Sequence, residues 1–314
     1  MTKYIIKRLL VAIPTIIGVF IVVFFVLRLI PGDPAVVMLG ASATDEQVEV
    51  YREKFGLNEP LVVQFGIAFK NFAKGDLGQS ISLNKPASQA IAERLPNTVT
   101  LAVLGILIGA IFAIIFGVIA AIFRGKWPDL ILTSLSTLGM SLPTFYIGLW
   151  VLMLFALQWQ IIPVLSNSNG IPFWQSILGP LLTMAMGTTS FLMRTTRSSM
   201  LEIFNEDFIR TARAKGLAEK VVLFKHALGN AMIPIVTITG YNLATSFGGA
   251  IVLETVFTRN GIGKLLIDAI NVRDYPLVQG TTIVIAILMI LINILTDVIY
   301  GFVDPRIRVT GDEA

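Results

Sequence analysis

Residues 205–234 read NEDFIRTARAKGLAEKVVLFKHALGNAMIP, the longest charged insert in the C-terminal two-thirds of a very apolar chain. The insert has the parts of a self-contained helical element. Asn205 is placed to cap a helix, and Glu206 and Asp207 follow in its first turn, where they complement the positive end of the helix dipole. Arg210 stands four residues after Glu206, a spacing that brings the two side chains together on a helix surface. Gly216 reads as the residue that ends this first helix. A second short helix carries Leu217, Val221, Phe224 and Leu228 at 4-3-4 spacing, which predicts a single apolar face. Such an element belongs at a membrane surface, although spacing alone does not separate it from an ordinary loop.

The flanks decide between the two. Hydrophobic residues make up 55% of the chain and charged residues 14%, against about 25% charged in an ordinary soluble domain. A soluble protein of this composition has too little polar surface to cover itself, so the chain is read as an integral membrane protein. The formal charge of +4 is spread along the sequence, which fits membrane orientation and not nucleic-acid binding. There is no cysteine and His226 is the single histidine, which excludes disulfides, thiolate chemistry and a multi-histidine metal site.

On the N-terminal side, Lys3, Lys7 and Arg8 precede an uncharged run over residues 9–27. At ~1.5 Å per residue this run just crosses a ~30 Å hydrocarbon core, and it is longer than a signal-peptide apolar region, so it predicts an uncleaved first membrane helix. Pro31-Gly32-Asp33-Pro34 ends it. Residues 31–94 are mixed in charge. Thr44 ahead of Asp45, Glu46 and Gln47 predicts a capped helix to about Phe55, residues 61–74 a second, and Gly75-Asp76-Leu77-Gly78 a turn. This segment is too short for a large core of its own.

Residues 95–123 are uncharged and predict the second span, with Gly105-Ile106-Leu107-Ile108-Gly109 as a close-packing motif. Residues 130–193 carry no charge and are too long for one span. The stretch 158–175, with two prolines, Asn167, Asn169 and Gly170, divides them into a third and a fourth. Residues 231–253 predict the fifth, 254–274 an external or re-entrant loop, and 276–301 the sixth. With the N-terminus inside, the inner segments hold 14 of the 24 Lys and Arg residues, and the loop between spans three and four holds none. The expected fold is therefore an all-α membrane protein with six transmembrane helices, both termini cytoplasmic, and a small extracytoplasmic domain between helices 1 and 2. The boundaries are 1–30 for the first helix, 31–94 for that domain, 95–304 for the core with the cytoplasmic element 205–228, and 305–314 for a tail.

Catalysis finds no residues to use. Nothing resembles a nucleophile–base pair. Gly261-Ile262-Gly263-Lys264-Leu265 lacks the four residues between glycines and the Ser or Thr after lysine that a phosphate loop needs. The chain is expected to be no enzyme, to hold no metal or cofactor, and not to hydrolyse ATP itself. Within the spans, Asp297 and Asn293 lie four apart, and Asp297 is expected to pair with Arg194 or Arg197 near the cytoplasmic end. Ser141, Thr144, Thr188, Thr189, Asn242, Thr245 and Ser246 are candidates to line a polar path, although hydroxyls in membrane helices often bond backbone instead.

These residues carry a resemblance that covers nearly the whole chain. The insert resembles the cytoplasmic loop of binding-protein-dependent ABC importer permeases, which has a Glu-Ala-Ala start, a glycine four residues after the second alanine, and an Ile-x-Leu-Pro ending. Here Arg210-Thr211-Ala212 stand at the start, Gly216 at the glycine and His226-Ala227-Leu228-Gly229 at the ending. The departures at Arg210 and Gly229 are similar to the dipeptide/oligopeptide/nickel permease branch, where Arg-Thr-Ala-Arg-Ala-Lys-Gly is the usual form. Ile30-Pro31-Gly32-Asp33-Pro34, Phe55-Gly56-Leu57, Gly75-Asp76-Leu77-Gly78, Arg94-Leu95-Pro96-Asn97-Thr98, Glu254-Thr255-Val256-Phe257, Arg273-Asp274-Tyr275-Pro276 and Asp304-Pro305-Arg306-Ile307-Arg308 agree with it, in order.

The resemblance implies a type I ABC importer permease of a prokaryotic plasma (inner) membrane. Its partners would be a second homologous permease, two ATPase subunits that hold ATP and magnesium, and an extracytoplasmic substrate-binding protein. Arg210, Thr211, Ala212, Arg213, Ala214, Lys215, Gly216 and Leu217 would be the ATPase contact. The substrate would be a dipeptide or oligopeptide, with nickel complexes or oligosaccharides as alternatives. A motor-independent secondary transporter is the rival reading, but neither inverted repeats nor a relay of buried charges is visible.

Overall fold

The computed structural model describes residues 2–40, 43–54, 56–166 and 170–303. Asn167, Asn169, Phe55 of the Phe55-Gly56-Leu57 motif, the Asp304–Arg308 motif and the 305–314 tail lie outside the described residues. Almost everything else is helix. Helix α1 (Thr2–Leu29) is followed by three short helices, α2 (Pro34–Leu39), α3 (Asp45–Lys54) and α4 (Leu61–Ala73). A two-residue hairpin, β1 (Gln79–Ser80) with β2 (Lys85–Pro86), pairs Gln79 with Pro86 and Ser80 with Lys85. Then come α5 (Ala87–Ile122), α6 (Trp127–Ser141), α7 (Thr144–Val151), α8 (Phe173–Phe204), α9 (Asp207–Ala214), α10 (Glu219–Val221), α11 (Gly229–Val256), α12 (Ile262–Asn271) and α13 (Tyr275–Val303).

Among the described residues, five helices are long and apolar enough to cross a membrane, and α6 with α7 makes a sixth span if the bent pair counts as one. That pair turns through 108°, a break the uncharged run did not announce. Its cause is Pro143, which has no N–H to continue a helix and forces Leu142 into extended backbone at ψ 134°. Beyond the break, α7 passes into a π-helical turn over Leu152–Gln158. The second span begins at Ala87, before the uncharged run, and carries Pro96 within it.

The chain forms two compact units. One is built on Val99–Arg259 and takes in the last helix from Met289. Here Leu101, Ile147, Val151, Ile177, Leu253 and Phe257 make one buried cluster. The Gly105/Gly109 motif is a close-packing site: a Cβ on Gly105 would fall 2.6 Å from Met184 Sδ, and one on Gly109 would fall 2.6 Å from Thr188 Cβ. Both distances are inside van der Waals contact, so only glycine lets α5 and α8 approach this closely.

The other unit comprises Arg8–Thr98 and Asn260–Leu288. The cap predicted at Thr44 forms. Thr44 N–H donates to Gln47 Oε1 (3.1 Å) and Gln47 N–H donates to Thr44 Oγ1 (3.3 Å), a reciprocal capping box. Asp33 Oδ1 caps α2 through Ala35 N–H (2.8 Å), and its Oδ2 accepts from Arg52 Nε (2.8 Å). Phe20, Phe24, Phe65, Phe69 and Phe72 form a continuous ring cluster with centroids 4.9–6.3 Å apart for its contacts to Phe20, which fastens α4 to α1. Asp274, fully buried, accepts from Ser80 Oγ (2.7 Å), Ser82 N–H (2.9 Å) and Ser82 Oγ (2.8 Å). The hairpin is thereby stapled to the start of α13. Nothing in the local sequence of residues 75–86 identifies this acid as its anchor.

Candidate functional site

The insert that opens the sequence reading is a bracket of two short helices on a packed base. Helix α8 runs through Phe204, and Asn205 is its C-cap, with Nδ2 donating to Leu201 O at 3.0 Å. The expected N-cap role of Asn205 is therefore corrected: Thr196 and Met200 are fully buried, and this packing carries α8 well past its apolar part. Helix α9 starts one residue later than expected, with Glu206 extended ahead of it and Asp207 in the first turn. Arg210 accordingly pairs with Asp207 (3.5 Å), three residues away, and not with Glu206.

Gly216 ends α9 as predicted. It adopts φ +76°, a conformation that costs an ordinary L-residue about 1–2 kcal/mol. Gly216 N–H bonds to Arg213 O (2.9 Å) and Leu217 N–H to Ala212 O (3.4 Å), the two bonds of a Schellman stop. Arg213 then reaches across the turn to Glu219 with a two-pronged contact, Nη2–Oε1 2.6 Å and Nε–Oε2 3.2 Å. That carboxylate raises the Arg213 guanidinium above its ordinary pKa.

The second helix differs from its predicted face. Residues Val222–Leu228 are π-helical, and a π turn, bonded i to i+5, winds more slowly than an α turn and so shifts the buried face. Val222 and Ala227 are fully buried. They pack with Ile209, Ala212, Met200 and Ala231 in one cluster, and Leu228 lies at its edge. Leu217, Val221 and Phe224 are left 41%, 39% and 58% exposed, beside Phe208 at 42%. Of the eight residues expected to face a partner, seven are exposed and Ala212 is buried in the base. The element is thus rigid underneath and displays a mixed apolar and basic surface above.

Behind it stands an ion-paired clasp. Asp129, 3% exposed, accepts from Arg197 Nε (2.6 Å) and Nη2 (2.8 Å), Gly125 N–H (2.8 Å) and Thr133 Oγ1 (3.1 Å). The pairing of Arg197 is with Asp129, on the Nε and Nη2 edge of its guanidinium, where the sequence reading offered it, or Arg194, to Asp297. Asp129 was legible only as part of a turn, because its partner is remote in sequence. The clasp ties α6 to α8 about two turns before α8 enters the bracket.

The polar-path candidates divide by how their bonding capacity is spent. Ser141 Oγ donates to Thr137 O (2.8 Å), Thr245 Oγ1 to Tyr241 O (3.2 Å) and Ser246 Oγ to Leu243 O (2.7 Å). Thr189 Oγ1 donates to Gly109 O (3.1 Å), and Thr188 is buried at the α5–α8 approach. Thr144 is exposed at the start of α7. Asn242 alone of the set has a buried donor, Nδ2, without a partner among the described residues.

Residues 113–309 match the binding-protein-dependent transport system inner membrane component family, and residues 1–102 match the N-terminal component that goes with it. The chain is a permease of this family. It is the permease subunit of a binding-protein-dependent ABC importer and a multi-pass inner-membrane protein. Similar permeases include a putative peptide transport system permease of Brucella abortus, 42% identical over 98% of this chain and 99% of that one. A probable peptide ABC transporter permease of Sinorhizobium fredii is 41% identical over 98% and 100%, and a glutathione transport system permease of Salmonella choleraesuis 38% over 98% and 99%. The permease also shares its fold with a chain of the inward-facing MetNI methionine ABC transporter. That match has a TM-score of 0.55 and 18% identity, over 69% of this permease and 97% of that chain. A chain of an amino acid ABC transporter matches with a TM-score of 0.54 and 12% identity, over 68% and 94%.

Proposed function

We propose that this permease forms, with a second homologous permease, the pathway of a peptide importer, and that residues 205–228 seat an ATPase subunit. Both chain ends and this bracket lie on the cytoplasmic side, and residues 31–94 lie outside, where a substrate-binding protein docks. ATP and magnesium belong to the two ATPase subunits. The observation that carries this reading is the bracket itself: a Gly216 stop and an Arg213–Glu219 fork hold exposed Lys215, Leu217 and Phe224 over a buried apolar base. Rigid-body gating needs a stiff contact through which displacement is transmitted. From the bracket, force passes along α8 to the Asp129–Arg197 clasp, and through it to α6.

Peptide is the substrate class supported by the peptide and glutathione permeases to which the chain is similar. The test is the assembled importer in proteoliposomes, with uptake of labelled di- and tripeptides and ATP hydrolysis measured together. Ala214→Trp is expected to abolish uptake while the permease remains folded and the ATPases remain active. Wild-type uptake by that variant would contradict the seat, and competition by nickel complexes or oligosaccharides but not by peptides would contradict the substrate.

A further inference from the structure

The unit formed by Arg8–Thr98 and Asn260–Leu288 encloses a cavity of ≈ 200 Å³ for which the transport reading gives no role. Part of its wall is apolar, made by Phe20, Phe72, Leu77 and Ile283. The charged residues in the wall are Arg28, Arg273 and Asp76. Neither arginine has an ion-pair partner among the described residues, and the nearby acids bond other donors, with Asp76 alone adding a negative charge to the wall. Asp33 is held by Arg52, and Asp274 by Ser80 and Ser82. Asp76 Oδ1 accepts from Gly78 N–H at 2.8 Å.

The two guanidiniums are partly hydrogen-bonded but uncompensated. Arg28 donates Nε to Gln64 Oε1 (3.1 Å) and Nη1 to Phe24 O (3.1 Å), both neutral oxygens, and its Cζ lies 3.4 Å from the Phe24 ring centroid. Arg273 Nη1 and Gln279 Nε2 are buried and have no partner among the described residues. Two guanidiniums without an ion-pair partner line one small cavity, and the unspent N–H donors of Arg273 and Gln279 lie just behind its wall, an arrangement that suits an oxyanion.

We propose that this cavity binds the carboxylate of a small, partly apolar molecule, and, resting on the peptide reading above, that the ligand is the C-terminal end of a short peptide. Arginine forks match a carboxylate in two-pronged geometry, and the phenylalanine and aliphatic wall takes a neighbouring side chain. The volume lies below the ~300–1,000 Å³ of a pocket for a drug-sized ligand. It suits a single terminal residue. Arg28, Arg273 and Gln279 are the binding residues assigned here.

The test uses the full-length permease in nanodiscs, without binding protein or ATPase, titrated calorimetrically with N-acetylphenylalanine, with its amide, and with inorganic phosphate. The acid is expected to bind, the amide at least tenfold more weakly, and phosphate only in competition with the acid. Arg273→Lys keeps the charge but loses the fork and is expected to weaken the acid at least tenfold. Gln279→Leu removes one donor without touching charge and is expected to weaken it several-fold, which covers the case in which a charge-removing variant fails to fold. Equal binding of acid and amide, wild-type affinity in both variants, or a permease that binds phosphate and not the acid would overturn the proposal. Peptide uptake by the assembled importer is measured separately: uptake with no acid binding in nanodiscs refutes this site and leaves the transport function standing.

Discussion

The bracket at residues 205–228 and the stapled hairpin at Gln79–Pro86 use the same kinds of residue in opposite ways. In the bracket, small apolar side chains such as Ala212 and Ala227 go inward and the charges of Lys215, Arg210 and Lys225 stay at the surface. In the hairpin region, the charge goes inward: Asp274 is fully buried and saturated by serine hydroxyls and backbone N–H groups. The first arrangement suits a surface that must meet another protein, because its charges, the exposed Arg210–Asp207 pair included, stay at the surface. The second suits a segment with little core of its own, because a buried carboxylate with several donors fixes loop geometry that apolar contacts alone leave free.

The variant with the largest expected effect removes the acid behind the bracket. Asp129→Ala leaves Arg197 without its carboxylate and strands Gly125 N–H and Thr133 Oγ1. Breaking a fully buried pair costs about 3–5 kcal/mol, and less where the remaining Arg197 is 27% exposed; the expected result is a lowered Tm and reduced recovery of folded permease, with Asp129→Asn intermediate. An unchanged Tm would show that α6 and α8 do not depend on the clasp. Asp274→Ala comes next. It leaves the buried Ser80 donor unsatisfied at about 1–3 kcal/mol, while the exposed Ser82 donors turn to water. Hydrogen exchange is expected to accelerate across Gln79–Pro86 while α9 keeps its wild-type protection; acceleration in both would erase the contrast between the two regions.

Gly216→Ala tests the bracket more gently. A Cβ there meets nothing within 4 Å, so the cost is backbone strain of about 1–2 kcal/mol. The expected outcome is faster exchange at Lys215 and Leu217 and weakened coupling of uptake to ATP hydrolysis. The smallest effect belongs to Asp33. Burial works to raise its pKa, but the Arg52 hydrogen bond and the backbone N–H groups of Ala35 and Val36 hold it below the ordinary carboxylate value. A carboxyl lowered in the fold stabilises fully above its unfolded value of ~3.9, and that contribution is lost as pH falls through the lowered value. For a partly exposed pair it amounts to about 0–1 kcal/mol. Exchange across α2 and α3 is expected to be flat between pH 7 and 5 and to rise only in the acid range, and a rise already at pH 6 would contradict the pairing.

The spans, the Thr44 capping box, the Gly75–Gly78 turn and the Gly216 stop were legible in the sequence, because each is set by residues close together in the chain. Gly216 must sit at positive φ whatever surrounds it, and an uncharged run of span length has few other destinations. What escaped depends on distant partners or on a changed helical period. Asp129 and Asp274 look like ordinary turn residues until Arg197 and the two serines fold onto them. The predicted face through Leu217, Val221 and Phe224 assumed an α-helical repeat, and the π turn moves Val222 and Ala227 inward instead. Ala212 shows the consequence: sequence pattern placed it in the contact, whereas its burial makes it a support, so a bulky substitution there tests packing and not docking.

The most direct measurement of the central claim is site-specific cross-linking. The chain contains no cysteine, so Lys215→Cys and Lys70→Cys each introduce a single thiol. In the assembled importer, Lys215→Cys is expected to cross-link to an ATPase subunit with a yield that changes on ATP binding, while Lys70→Cys gives no such product. Absence of the ATPase product at Lys215, or its appearance at Lys70, would contradict the assignment of residues 205–228 as the seat of the ATPase.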